Sequence, residues 1–499
     1  MAASAHKYGQ DQPEGPSRPE LVKDDTKATS KLPLPTLAAM VVGSMVGAGV
    51  FSLPRNFGQA TGVYGALIAW AIAGTGMLML AFVFQNLAIR KPDLDAGVFA
   101  YAKAGFGDYL GFFSAFGYWA SACVGNVTYW VLIKSTLGGA VPAFGEGNTL
   151  AAIAVSSVGL WLFHFLILRG VKEAAGVNKI VTIAKIIPLL VFLVVVGFAM
   201  KGGVFRQNLW GGDERGVGAI FAQVKSTMLV TVFVFLGVEG ATVYSRYARK
   251  REDVGKATIL GFLGVLALFS LVTMVSYGVL LRPELSELRQ PSVGEVMQTV
   301  VGPWGRVFIG VGIIISVLGA YLAWTMMAAE VTYVAAKSDD MPRFLTRTNS
   351  KDVPSAALVM TTVLIQLVLL VTYFSENAFD FTLKLCSALS LVPYLLAAAY
   401  ALKLGITRET YETDPSSRGR QTLVAGIATF YTVFLLFAAG LKFLLLSFII
   451  YAPGTILFFM ARREQGKRVF TPPEMILFVV SIIGAIVGIV GLAQGWISI

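Results

Sequence analysis

The sequence predicts an all-α integral membrane protein of about thirteen transmembrane helices. Three observations carry that prediction. Apolar residues make up 56% of the 499 and charged residues 14%, with a mean hydropathy of +0.71; soluble domains carry about 25% charge. Apolar runs long enough to cross a hydrocarbon core as helix, about 20 residues each, recur along the chain. The connections between them are alternately rich and poor in lysine and arginine. A membrane β-barrel would instead show short segments of alternating polarity.

Residues 1–33 are polar, bear Pro and Gly and lack an apolar h-region. They read as a disordered cytoplasmic tail and not as a signal peptide. Spans follow at 34–57, 63–89, 108–136, 149–168, 176–199, 219–247, 257–281, 303–336, 354–373, 379–404, 421–440, 442–461 and 474–496. Little more than "AAGLKF" separates spans 11 and 12. The chain thus divides into 34–199 with spans 1–5, 219–404 with spans 6–10, and 421–496 with spans 11–13.

The even-numbered connections hold roughly 23 Lys and Arg, among them Arg90, Lys103, Arg246, Arg343, Arg418 and Arg462. The odd ones hold roughly six, among them Lys201, Arg282 and Lys442. By the positive-inside rule the even connections and the N-terminus are cytoplasmic, in a cell inner (plasma) membrane. The net charge of +11 is spread over these loops, so it is no nucleic-acid patch. Cys123 and Cys386 lie singly in apolar runs, which excludes a disulfide framework or a metal-ligand pattern. His164 in "LFHFLIL" reads as a helix-packing residue, and no metal or cofactor is expected.

Two spans carry residues that weaken helices. "VVGSMVGAGVFSLP" (41–54) crowds Gly43, Gly47 and Gly49 into span 1. Taken alone, this fits either close helix packing through Gly43-x-x-x-Gly47 or a broken helix lining a cavity. "FVFLGVEGATVY" (233–244) then places Gly237 and Gly240 in span 6 and adds Glu239, an ionisable residue where charge costs at least a few kcal/mol. Interruptions five spans apart, at matching places in two halves, point to an inverted-repeat transporter. A half-helix N-terminus offers amides to a carboxylate, and a half-helix C-terminus offers carbonyls to an ammonium. Together they form a site for the two ends of an amino acid.

These stretches, with "AWTMMAAEVTYVAAK" (323–337) and "LVPYL" (391–395), resemble the amino acid–polyamine–organocation superfamily. More narrowly, they resemble its basic amino acid/polyamine antiporters, closest to arginine/ornithine antiporters and lysine permeases. The resemblance covers about 34–480 and implies a LeuT-like five-plus-five inverted repeat with additional C-terminal helices. It places the substrate carboxylate at Gly47, Ala48 and Gly49. It places the amine at carbonyls near Ser44, Met45, Phe233 and Leu236.

The same resemblance assigns Trp324 to the substrate side chain, a cation–π role worth about 2 kcal/mol or more when desolvated. Phe233 departs from the tryptophan of arginine/agmatine relatives, which puts agmatine exchange in doubt. In "FGYWASACVGN" (116–126) the resemblance makes Tyr118 a gating tyrosine. Carbonyls at Ser121 and Ala122, with the amide of Asn126, meet the substrate's distal end. Asn126 reads equally as an interhelical hydrogen bond, worth about 0.6 kcal/mol. Tyr394 is the second gating tyrosine. Glu239 is a pH-sensitive gate, a counter-charge to the substrate or the partner of a lysine in the bundle. Glu330, about 120° around the helix from Trp324, is a further gating or coupling candidate near the cytoplasmic end. Lys185 in span 5 snorkels or takes the place of a coupling sodium, since a fixed cation repels a second one.

The expected function is a secondary transporter of cationic amino acids, an arginine/ornithine exchanger working by alternating access. The alternative is a lysine permease or lysine/polyamine antiporter, proton-linked rather than sodium-coupled. Expected partners are arginine, ornithine and lysine, the lipid bilayer and a second copy in a homodimer. A channel would show repeated pore loops. An enzyme would need a nucleophile triad, paired acids or a metal set within the spans. The sequence carries none of these, and "VGAGVF" lacks the strand and the GK[ST] of a phosphate loop.

Overall fold

In hydrocarbon every backbone amide and carbonyl must be paired within its own segment, so long apolar runs become helices. A computed structural model describes residues 33–94, 98–170, 175–212, 215–239, 251–412 and 415–499, and among these no strand occurs. The tail 1–32, Gly240 with the remainder of span 6, and Lys172, Arg246, Arg249 and Lys250 lie outside the described residues.

Ten helices are long and apolar enough to cross a membrane, and a bent pair, Leu37–Met45 with Ala48–Ala60, makes an eleventh span. Span 3 is the 31-residue helix Asp108–Gly138, which carries more polar residues and is buried along most of its length. One helix, Arg418–Glu464, runs for 47 residues. At 1.5 Å per residue that is about 70 Å, more than twice a hydrocarbon core of about 30 Å. Gly440 interrupts it with φ 69° and ψ 172°. Its first turns meet the end of span 2, where Arg90 donates to Gln421 Oε1 at 2.6 Å and to Ser417 Oγ at 2.6 Å. Its last turn meets the start of span 3, where Arg462 donates to Asp108 at 2.6 Å. Both ends therefore sit on one face, and the chain reverses near Gly440, between spans 11 and 12 as the sequence predicts.

Contacts between loops fix the sidedness of the rest. Lys91 pairs with Glu409, Lys103 with Asp340 at 2.5 Å, and Lys351 donates to the carbonyl of Arg169 at 2.6 Å. These residues flank or lie in even connections and form a basic face. Burial pushes the Asp340 carboxyl up from its ordinary range, against the opposing pull of Lys103. On the opposite face Asn208 receives the amide of Arg282, Arg289 reaches the Gly145 carbonyl, and Asn148 reaches the Ser375 carbonyl. These join connections 3, 5, 7 and 9.

The packing is paired. Span 1 packs on span 7 (Arg251–Tyr277), and span 6 (Val217–Phe235) packs on span 2 (Val63–Arg90). Span 3 packs on span 10 (Ala378–Thr407), and span 8 (Pro303–Lys337) on span 5 (Ala175–Phe198). A loop helix, Val98–Phe106, rests on spans 3 and 10. Another, Ser292–Val301, rests on spans 8 and 5.

Candidate functional site

Span 1 does not run through its glycines as one helix. It is α-helical over Leu34–Met45, extended at Val46 and Gly47, then a tight 3-10 segment Ala48–Ser52 leading into the helix Leu53–Ala60. The two parts are bent by 52°. The amide of Val46 still donates to Val42 at 2.9 Å, but the amides of Gly47, Ala48 and Gly49 have no partner among the described residues. Before the break, the carbonyls of Gly43, Ser44 and Met45 receive no backbone amide among the described residues. The Lys185 ammonium donates to the Gly43 carbonyl.

Span 6 is helical to Phe235, extended at Leu236, and reaches φ +101° at Gly237. Glycine carries that conformation without steric cost. Here the amides are occupied: Leu236 donates to Phe233 at 3.3 Å, Val238 to Phe235 at 3.1 Å, and Gly237 to Glu239 Oε2 at 3.2 Å.

The two breaks touch. A Cβ on Gly237 would lie 2.5 Å from the Ser44 carbonyl oxygen, and one on Gly49 would lie 2.7 Å from Val234 and 2.8 Å from the Phe233 ring. Backbone meets backbone at one place because neither glycine carries a side chain there.

Glu239 is 8% exposed. The Tyr118 hydroxyl donates to its Oε1 at 2.6 Å, and the Tyr394 hydroxyl to its Oε2 at 2.8 Å. Carboxylates accept such bonds at about twice the strength of neutral acceptors. Spans 3, 6 and 10 are thus joined through one side chain.

The sequence that builds these breaks matches one family along most of its length. The family described as amino acid permease matches residues 32–487 of this chain. The chain belongs to the amino acid permease family. An arginine/ornithine antiporter of Pseudomonas aeruginosa is 49% identical over 479 residues, covering 95% of this permease and 99% of the relative. An L-lysine transport protein of Corynebacterium glutamicum is 41% identical, covering 95% and 97%. An arginine/ornithine antiporter of Latilactobacillus sakei is 39% identical, covering 95% and 100%.

The permease brings some of the predicted residues together and leaves others apart. Ser44, Met45, Gly47, Ala48, Gly49, Phe233, Leu236 and Glu239 gather at the breaks, with Lys185, Tyr118 and Tyr394 bonded to them. Asn126 is fully buried, and its Nδ2 donates to Thr325 Oγ1 at 3.1 Å, so it makes an interhelical bond beside Trp324. Its Oδ1 has no partner among the described residues. Trp324 is half-buried in span 8. The Ser121 hydroxyl is taken by the Cys386 carbonyl at 2.8 Å, and Ala122 is buried within unbroken helix. Glu330 is exposed and stands apart from the breaks. The His164 ring bonds Thr362 across spans 4 and 9 at 2.8 Å, as a packing histidine does.

The expected hollow is not where the described cavities lie. The larger, about 710 Å³, is lined by span 11 residues including Arg418, Thr422 and Phe430, and the smaller, about 10 Å³, adjoins Arg90 and Tyr411. The breaks are packed against each other, by Gly237 on Ser44 and Gly49 on Phe233. Sequence reasoning also missed Thr325, the partner of Asn126, and Tyr129, whose hydroxyl faces Gly47. Tyr129 lies three residues beyond Asn126, one turn along the same helix face, and that spacing was the available signal.

Proposed function

We propose that this permease exchanges cationic amino acids across a cell membrane, arginine for ornithine, by alternating access around the two breaks. The observation that carries the reading is their juxtaposition. Three amides at Gly47–Gly49, unpaired among the described residues, adjoin a break in span 6 that touches Ser44. An α-carboxylate and an α-ammonium need such opposed ends of peptide dipoles. Relatives named for arginine and ornithine exchange, alike over nearly the whole chain, supply the substrate class.

The paired packing supports an inverted repeat of 34–199 and 219–404. Exchanging span 1 with 6, 2 with 7, 3 with 8 and 5 with 10 turns each observed pair into another observed pair. The basic face is cytoplasmic by its arginine and lysine content. Between the breaks and that face, the Tyr118–Glu239–Tyr394 cluster closes the inward path. Substrate arrival draws the breaks apart and releases that cluster. Lys185, bonded at the span 1 break, fills the place of a coupling sodium. Trp324 and Phe233 select the side chain by cation–π attraction.

A second reading, a lysine permease, is favoured by the lysine transport relative at 41% identity and by Phe233 in place of a larger ring. Counterflow in proteoliposomes loaded with arginine, against external arginine, ornithine, lysine, putrescine and agmatine, separates the two. Arginine/ornithine exchange predicts trans-stimulation by both amino acids. Uptake driven by lysine alone would replace it with the second reading. Phe233→Trp and Trp324→Ala should both shift selectivity, and unchanged selectivity in both would detach these rings from the side chain.

A further inference from the structure

Resting on the reading that the span 1 break holds the carboxylate, we propose that the Tyr129 hydroxyl is a further donor to that carboxylate. Tyr129 stands on span 3, opposite the break. A Cβ on Gly47 would lie 3.7 Å from its phenol oxygen, an ordinary contact distance. The hydroxyl therefore faces the peptide that the unpaired amides belong to. Tyr129 is 7% exposed, and among the described residues its hydroxyl has no hydrogen-bond partner. Three other buried tyrosines have partners, while Tyr431, on span 11, has none among the described residues. Tyr109 bonds Thr455, Tyr277 donates to the Thr61 carbonyl, and Tyr451 donates to the Leu389 carbonyl. A hydroxyl that faces open amides and bonds no protein group is placed to donate to an acceptor those amides also bind.

The chemistry is complementary. A carboxylate has about four acceptor positions on two oxygens. Consecutive amides of a half-helix N-terminus approach from one side and leave positions unfilled. A phenol from the neighbouring span adds an O–H donor there. The Lys185 ammonium is bonded to the Gly43 carbonyl on the far side of the interruption. The added donor at Gly47 is thus neutral, and it senses the carboxylate and not the substrate's cationic end.

The test compares arginine with agmatine, which lacks the carboxylate, by calorimetry on purified wild type and Tyr129→Phe. Removing one charge-assisted hydrogen bond should weaken arginine about tenfold, while agmatine changes less than twofold. The ratio of the two affinities within one sample is independent of the folded fraction, so partial misfolding does not blur it. Unchanged arginine affinity in Tyr129→Phe overturns the assignment, and so does equal loss of both ligands. Wild type that binds neither ligand overturns the proposed function and this inference with it.

Discussion

At the break in span 1, three consecutive amides stand without partners among the described residues; at the break in span 6, the amides of Leu236, Gly237 and Val238 are taken, one of them by the protein's own carboxylate. The two interruptions touch, yet one keeps its donors open and the other is internally liganded. Glu239 is what differs. It fills at span 6 the role that a bound carboxylate would fill at span 1, and two tyrosine hydroxyls hold it there. The lesson is that a glycine pair predicts a break but not its use. Use depends on which polar side chains from other spans reach the freed peptide groups.

The comparison can be broken at its structural end first. Gly237→Ala should have the largest effect. It combines a left-handed backbone, costing about 1–3 kcal/mol for a residue with a side chain, with a methyl 2.5 Å from the Ser44 carbonyl. A loss of about 3 kcal/mol or more is expected, read as a fall in the thermal melting point of detergent-purified protein. An unchanged melting point would mean that the crossing at Ser44 is not as close as described.

Glu239→Gln comes next. The amide that replaces one carboxylate oxygen faces hydroxyls and a peptide N–H that all need acceptors. Two charge-assisted bonds, each about 1.5–3 kcal/mol, are weakened, and exchange in proteoliposomes should slow about 10- to 100-fold. Full activity in this variant would remove Glu239 from the working cycle and leave it a packing acid. Lys185→Met should be milder, slowing exchange about tenfold, since one charge-assisted bond is lost. Wild-type exchange should be indifferent to replacing sodium by choline. A variant whose rate sodium restores would support the ammonium as a stand-in for that ion, and sodium dependence of wild type would refute it.

The smallest structural effect belongs to Gly47→Ala. Gly47 has φ −117°, open to any residue, and the nearest atom to a new methyl is the Tyr129 hydroxyl at 3.7 Å. Stability should change by less than about 1 kcal/mol, while the arginine KM rises because the methyl crowds the open amides. A large stability loss here would erase the contrast with Gly237.

Much of the architecture was legible in the chain, since hydropathy and loop charge are local properties. The all-helical membrane architecture, the reversal near Gly440 and both interruptions fall where the glycines and apolar runs place them. Family resemblance marked Tyr118, Tyr394 and Glu239 each as a gating residue, but not that they bond one another. Without the resemblance, Glu239 read as a counter-charge or a lysine pair. Tyr118 and Tyr394 lie 121 and 155 residues away from it, and spacing says nothing about which helices adjoin. Ser121 shows the converse. A polar residue in the right stretch has its hydroxyl spent on the Cys386 carbonyl, which depends on how closely spans 3 and 10 approach. Glu330 failed to join the site for a reason visible in its own helix: six residues carry it around to another side of span 8.

Gly440 has a mechanical consequence. The stretch before it is anchored to the end of span 2 by Arg90, whose guanidinium also lies 3.7 Å over the Tyr411 ring. The stretch after it is anchored to the start of span 3 by Arg462. The linkage between these anchors is continuous helix on both sides of one glycine, so it has no slack. Any displacement of span 2 relative to span 3 must turn the peptide at Gly440, where no atom comes within 4 Å of a Cβ position, or prise one anchor open. That single residue is the fulcrum on which two rigid levers meet.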